Sequence, residues 1–160
     1  MDVRIGYGYD VHAFQPGTEL VLGGIKIPFS KALKGHSDAD VLLHAITDAL
    51  LGSLALGDIG THFPDTDPDY ENADSLILLK DAYQLILNRG YALSNLDATV
   101  VAEAPKLNPV ISEMMEKIAK ALDCDKDRIS IKATTSEKMG FVGRGEGIAA
   151  QAVVLVKKVE

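Results

Sequence analysis

Three side chains in two segments have types and spacing that suit a divalent metal ion. Asp10 and His12 are two residues apart in a short β-prone segment, and on a strand such residues point to the same face. His44 lies in a later segment with helical periodicity and supplies a third ligand, so that two histidines and one carboxylate would surround Zn²⁺ with a fourth position open. Asp48, one helical turn further on, is predicted to accept the second ring N–H of His44. The alternative is an acid–histidine pair on a strand and a boundary histidine, with no metal.

The residues before the helix of His44 suit phosphate binding. His36 and Ser37 precede a helix predicted over about 38–56, and the amides of a helix N-terminus attract anions. Ser37 and Asp40 resemble a capping box with Asp in place of Glu. The alternative role for this segment is a plain helix cap.

A second group of polar residues follows a predicted strand near the C-terminal end. Thr134, Thr135 and Ser136 run into Glu137, Lys138 and a glycine-rich stretch. Hydroxyls, a carboxylate and backbone amides together suit a phosphate with its Mg²⁺. The pattern matches neither a P-loop nor a dinucleotide-binding motif, so a glycine-rich turn between two strands is the alternative.

Elements of both types must position these residues. A hairpin is predicted around Gly23-Gly24, and the segment 61–75 is predicted to be an exposed irregular loop. The last strand is almost continuously apolar, which is typical of a central strand. We expect one domain, 1–160, of the α+β class, with a mixed sheet and helices packed on one face. The predicted strands are 3–9, 20–27, 96–103, 129–134 and 148–156, and the remaining predicted helices are about 74–88 and 108–122.

Composition excludes several classes of function. The chain has 23 Asp and Glu against 16 Lys and Arg, so it lacks the basic field that binds nucleic acid or an anionic membrane. Cys124 is the only cysteine and cannot form an internal disulfide. No apolar run approaches the roughly 20 residues of a membrane span, and no leader pattern is visible. These features predict a cytoplasmic protein without nucleic-acid or membrane partners.

Five segments recur together, in this order, in one known family. They are GYGYDVHAF, GGIKIP, HSDADVLLHAITDALLGSLALGDIGTHFPDTDP, NLDATVVAEAPK and TTSEKMGFVGRGEGIAA. The chain therefore resembles the 2-C-methyl-D-erythritol 2,4-cyclodiphosphate synthase family over essentially its whole length. The resemblance implies a phosphorus–oxygen lyase of the non-mevalonate isoprenoid pathway. Its substrate would be 4-diphosphocytidyl-2-C-methyl-D-erythritol 2-phosphate, and its products the cyclic diphosphate and CMP.

The resemblance also implies roles for individual residues. Zinc, or another transition divalent ion, would bind Asp10, His12 and His44, and Glu137 would hold Mg²⁺ or Mn²⁺ with the substrate diphosphate. His36, Thr135 and Glu137 would be catalytic, with Thr135 touching a diphosphate oxygen. The implied substrate-binding residues are Ser37, Asp58, Gly60, Asp65, Ala102, Pro105, Lys106, Leu107, Phe141 and Arg144.

The implied assembly is a homotrimer of ferredoxin-like sandwiches whose sheets face the threefold axis and whose active sites lie at the interfaces. Phe141 and Arg144 would lie near an axial cavity able to take isoprenoid diphosphates. Tyr7, Tyr9 and Ala39 differ from the common family motifs, and Ala39 is predicted to lie within the helix, where alanine replaces glycine favourably. Gln151 stands where some relatives carry an acid, which leaves Arg144 without that charge partner.

Two other functions fit the same ligands. A zinc phosphohydrolase would use the open zinc position to make hydroxide and would release a linear phosphate. A structural metal site in a trimeric binding module would carry out no reaction.

Overall fold

The computed structural model describes residues 1–160 and contains both strands and helices. The strands are β1 Val3–Pro16, β2 Glu19–Leu22, β3 Ile25–Pro28, β4 Lys31–Leu33, β5 Tyr91–Val101, β6 Ile129–Thr134 and β7 Gly147–Lys158. The helices are α1 Val41–Ser53, α2 Ile59–His62, α3 Ser75–Asn88, α4 Asn108–Ala121 and α5 Gly140–Gly143, and 3₁₀ turns occur at Pro68–Tyr70 and Lys126–Arg128.

The main sheet has five strands in the order β4-β1-β7-β5-β6, and β2 and β3 form a separate hairpin. Strands β5 and β6 run parallel, whereas the other pairs are antiparallel. Strand β7 lies at the centre, as its apolar sequence predicts. The predicted α+β class with a mixed sheet is therefore confirmed.

Helix α1 packs unusually close to β1 because two glycines remove the side chains between them. A Cβ placed on Gly6 would lie 1.8 Å from the carbonyl oxygen of Ala49, and one on Gly8 would lie 1.8 Å from that of Ala45. The apolar residues of α1 are almost all buried in one core with those of the sheet, the hairpin and helices α3 and α4. This contact places the first turns of α1 directly over the middle of β1.

The other face of the sheet is uncovered and partly apolar. Alternate residues of β1 point away from the helices and remain 41–69% exposed: Ile5, Tyr7, Tyr9 and Val11. Val153 of the adjacent β7, which is paired with Tyr7, is 40% exposed. A row of large apolar side chains in this position is typical of a surface that meets another protein.

The start of α1 differs from the prediction. Its N-cap is Asp40, whose side chain accepts from the backbone N–H of Leu43. The same carboxylate accepts from the N–H groups of Gly23 and Gly24, and so joins the hairpin turn to the helix. The proposed capping box at Ser37 is wrong. Ala39 has φ +57° and lies before the helix, so the argument that alanine is favourable there as a helix former is also wrong.

Several other boundaries differ. The segment 61–75 is not wholly irregular, because it contains the end of α2 and the 3₁₀ turn Pro68–Tyr70. Strand β1 continues to Pro16 and pairs with the unpredicted β4. Helix α4 begins at Asn108, as predicted, and ends at Ala121. None of the helices has the length and apolar character needed to cross a bilayer.

Candidate metal centre and adjoining cavities

Asp10, His12 and His44 meet between β1 and α1. Asp10 Oδ2 lies 2.9 Å from His12 Nε2 and 3.1 Å from His44 Nδ1, and the two ring nitrogens are 3.1 Å apart. The predicted convergence of the three side chains is therefore confirmed, and these residues could hold a metal ion. A tetrahedral ion with bonds of about 2.0–2.1 Å has ligands about 3.3 Å apart, so the observed spacing fits such an ion closely.

The second ring nitrogen of His12 supports this interpretation. His12 Nδ1 lies 2.8 Å from the carbonyl oxygen of Lys34, and because a carbonyl only accepts, Nδ1 carries the proton. In the neutral ring, the lone pair of Nε2 then faces Asp10 and His44. Burial raises the pKa of Asp10, but the interactions with the His12 and His44 rings outweigh this effect and lower the pKa to about 2. Burial alone would lower the pKa of His12. The hydrogen bond and the negative charge of Asp10 raise it by a larger amount, so the pKa of His12 is raised overall.

The other ring nitrogen of His44 does not bind the predicted residue. His44 Nε2 lies 2.9 Å from Ser75 Oγ and 3.1 Å from Ser37 Oγ. Asp48 instead accepts from the backbone N–H of Ile59 at 2.7 Å. The expectation that Asp48 orients His44 is wrong, because that carboxylate is used to hold the start of α2.

A cavity of about 340 Å³ opens onto the three ligands. Four residues predicted from the family resemblance line it: His36, Ser37, Gly60 and Asp65. Asp58 is not among the lining residues, since its carboxylate caps α2 by accepting from the N–H and hydroxyl of Thr61. Four apolar or aromatic residues of the wall were not predicted from the sequence: Ile59, Phe63, Tyr70 and Leu78. Phe63 and Tyr70 meet edge to face, with ring centroids 5.5 Å apart.

A second cavity, of about 370 Å³, lies at the carboxyl ends of the parallel strands β5 and β6. It is lined by the predicted nucleotide residues Ala102, Pro105, Lys106 and Leu107 and also by Thr135. Two distant sequence segments meet here because parallel neighbouring strands end at the same edge of a sheet. This cavity and the one at the metal ligands share no lining residue.

Glu103 organises the loop next to the second cavity, a role that sequence analysis missed. Its carboxylate accepts from Ser136 N at 3.0 Å, Ser136 Oγ at 3.2 Å and Lys138 N at 3.2 Å. The hydrogen bond from the Lys138 amide makes the largest contribution to the lowered pKa of Glu103. Glu137 and Lys138 have φ values of +54° and +61°, which are uncommon for residues with a side chain. Thr135 and Glu137 both remain exposed.

Phe141 and Arg144 line a separate hollow of about 330 Å³ beside β1. Arg144 forms an ion pair with Glu146, with nitrogen–oxygen distances of 2.9 and 3.0 Å. Gln151 lies on the uncovered sheet face opposite Tyr9. Arg144 therefore has a carboxylate partner within its own chain, independent of position 151.

An α+β chain whose carboxylate and two imidazoles converge beside an open cavity has the ligand set of enzyme metal sites with three protein ligands, and it could hold a metal ion there. The YgbB family model matches residues 3–157, and the chain belongs to this family. Its relatives include proteins named 2-C-methyl-D-erythritol 2,4-cyclodiphosphate synthase. The protein of Natranaerobius thermophilus is 62% identical and that of Geotalea uraniireducens 59%, each over 98% of this chain and 99% of the relative. The family resemblance is thus confirmed.

Solved structures of proteins with similar sequences have the same fold as this chain. The bifunctional IspDF of Campylobacter jejuni has a TM-score of 0.96 and 46% identity, covering 99% of this chain and 43% of that longer one. IspF of Plasmodium falciparum, in complex with CDP, has a TM-score of 0.87 and 35% identity, covering 99% of this chain and 97% of that one.

Proposed function

We propose that this chain closes the cyclic diphosphate named in its relatives, starting from 4-diphosphocytidyl-2-C-methyl-D-erythritol 2-phosphate and releasing CMP. An oxygen of the 2-phosphate attacks the β-phosphorus. The bond from that phosphorus to the oxygen bridging the two phosphates breaks, and CMP leaves with the bridging oxygen. The observation that carries the proposal is the convergence of Asp10, His12 and His44 on one cavity in a chain about 60% identical to named synthases.

Such a reaction depends on alignment and charge neutralisation, because the attacking phosphate is already ionised. When bound, a transition divalent ion on Asp10, His12 and His44 and a Mg²⁺ or Mn²⁺ ion on Glu137 supply Lewis-acid polarisation of the phosphate oxygens. His36 and Ser37, at the edge of the ligand cluster, bind and orient phosphate. Their position in the same cavity as the three ligands supports this role.

The remaining substrate contacts divide between the two cavities. Gly60 lies near the ribose and Asp65 near the erythritol hydroxyls, whereas the segment 102–107 binds the cytosine through its backbone. Asp58, which we place near the ribose, has its carboxylate committed to Thr61 and contributes through its backbone. The hydroxyl of Thr135 donates a hydrogen bond to a diphosphate oxygen. Lys106 and Lys138 supply local positive charge, which the chain as a whole lacks because it is acidic.

We further propose that three chains of one domain each, 1–160, with the ferredoxin-like arrangement, assemble with their sheets toward a threefold axis. The uncovered apolar row on β1 supports this arrangement. The separation of the two cavities also supports it, because each active site would then combine the metal cavity of one chain with the nucleotide cavity of its neighbour. The hollow at Phe141 and Arg144 would take an isoprenoid diphosphate near the axis.

Phosphorus NMR tests the proposed reaction. The purified protein with the cytidyl substrate, Zn²⁺ and Mg²⁺ is expected to yield CMP and the cyclic diphosphate in equal amounts. A linear phosphate product would instead identify a phosphohydrolase, and zinc binding without turnover would favour a structural site. Light scattering checks the assembly, which should have three times the 17.1 kDa chain mass.

A further inference from the structure

His44 is connected to a buried hydroxyl and a carboxylate that lie outside the metal cluster. Ser75, the first residue of α3, is completely buried, and its hydroxyl lies 2.9 Å from His44 Nε2. The same hydroxyl makes a hydrogen bond to Asp38 Oδ1. Asp38 Oδ2 accepts from the backbone N–H of Ser75 at 3.0 Å, so the carboxylate binds this serine through two groups.

The directions of these hydrogen bonds follow from the chemistry of the groups. An ionised carboxylate can only accept, so the Ser75 hydroxyl donates its single hydrogen to Asp38. Its oxygen can then only accept from His44, which requires the proton of the neutral imidazole to be on Nε2. The lone pair of the ring is left on Nδ1, the atom 3.1 Å from Asp10 Oδ2.

We propose that Ser75 is a positioning residue that selects the metal-binding tautomer of His44, with Asp38 holding the serine in the required orientation. The inference rests on the proposed metal site and adds the group that prepares His44 for it. Residues that orient a ligating histidine commonly change metal affinity by about 10- to 100-fold when they are removed. The role cannot be read from local sequence, because Ser75 is 31 residues from His44 and 37 from Asp38.

The test compares Ser75→Ala with Ser53→Ala in the full-length protein. Alanine keeps the backbone N–H that donates to Asp38 and removes only the hydroxyl. Ser53 is the matched control, because it is a buried helical serine whose hydroxyl donates to the carbonyl of Leu50, away from the metal ligands. Competition with a chromophoric chelator should show zinc binding weakened by about 10- to 100-fold in Ser75→Ala and by less than about twofold in Ser53→Ala.

Nitrogen-15 NMR of the histidine rings in the metal-free protein gives a second readout. His44 should be protonated on Nε2 in the wild type and in Ser53→Ala, and should show a large fraction of the Nδ1–H form in Ser75→Ala. Unchanged zinc affinity together with an unchanged tautomer would overturn the proposal. If the wild type binds no zinc, the proposed metal site is wrong. The change in the His44 tautomer in Ser75→Ala would still show whether Ser75 orients this ring.

Asp38→Asn provides an independent variant if Ser75→Ala does not fold. An amide accepts the serine hydroxyl more weakly than a carboxylate, so we expect partial loss of the Nε2–H form and zinc binding weakened by about tenfold. A full Nε2–H population with wild-type zinc affinity in this variant would contradict the role of Asp38.

Discussion

The metal ligands and the loop 135–138 differ in how their geometry is maintained. Asp10, His12 and His44 lie on a strand and a helix in close backbone contact, and their side chains are only 11–27% exposed. The loop is exposed, has two consecutive residues at positive φ, and is held mainly by the carboxylate of Glu103. The three candidate ligands are therefore held in place within one chain, whereas the loop is exposed and, in the proposed trimer, would be covered by a neighbouring chain.

Removing one of the three candidate metal ligands should have the largest effect on both zinc binding and activity. We expect His44→Ala to lose bound zinc and to slow CMP release by at least about a thousandfold, because the ion supplies several kcal/mol of charge stabilisation. His62→Ala is the control, since that ring is not one of the three candidate ligands and forms its hydrogen bond with the carbonyl oxygen of Leu56. Elemental analysis and phosphorus NMR measure both properties. Near-normal turnover of a zinc-free His44→Ala protein would remove the metal from the mechanism.

Forcing β1 away from α1 should destabilise the fold and so disturb the positions of the candidate metal ligands. Gly8→Ala places a methyl group against the carbonyl oxygen of Ala45, and we expect a loss of about 3 kcal/mol in unfolding free energy with weakened zinc binding. Gly52→Ala, in an open position of α1, should instead stabilise the protein by about 0.5–1 kcal/mol. Urea unfolding separates the two variants. Equal stability of both would mean that the close contact is not required.

Substitution in the exposed loop should reduce activity but leave zinc in place. For Glu137→Gln we expect a rate about 100-fold lower that higher Mg²⁺ or Mn²⁺ partly restores, because the carboxylate is proposed to bind that ion. Glu113→Gln, on the exposed surface of α4, is the control. Kinetic titration with each divalent ion makes the measurement. Rates that respond equally to the ion in both variants would contradict the assignment.

Loosening the loop without removing its functional groups should have a smaller effect. Glu103→Gln weakens three hydrogen bonds to Ser136 and Lys138, and we expect KM for the cytidyl substrate to rise about tenfold with zinc content unchanged. Glu116→Gln removes a carboxylate that pairs with Lys126 on the surface and should leave KM unaltered. A KM effect of equal size in both variants would show that charge, rather than loop geometry, matters.

The smallest effect concerns backbone strain beside the metal ligands. Ala39→Gly relieves a positive φ but loses a buried methyl group, so we expect the unfolding free energy to change by less than about 0.5 kcal/mol. Ala55→Gly, at a similar φ but exposed, should stabilise the protein by about 0.5 kcal/mol. Equal changes in thermal unfolding would show that burial at position 39 contributes nothing.

Local sequence predicted the elements best where one pattern dominates. Helix α3 begins after the capping residue Asp74 and ends before Gly90, because cap and glycine signals agree with the apolar period. The apolar run of β7 correctly indicated a central strand. The start of α1 was predicted wrongly because Asp40, rather than Ser37, caps the helix. Its carboxylate also binds the turn Gly23-Gly24, a long-range contact that no local pattern reveals.

The sequence by itself determined the candidate ligands, since residue type and spacing indicate Asp10, His12 and His44, and the family resemblance implies that they hold a metal ion. Only the tertiary structure decided what surrounds them. Asp48, four residues after His44, accepts a hydrogen bond from the backbone N–H of Ile59. The ring of His44 instead forms a hydrogen bond with Ser75, at the start of another helix. Hydrogen bonds between elements depend on how the elements pack, and periodicity describes only the face that a residue occupies.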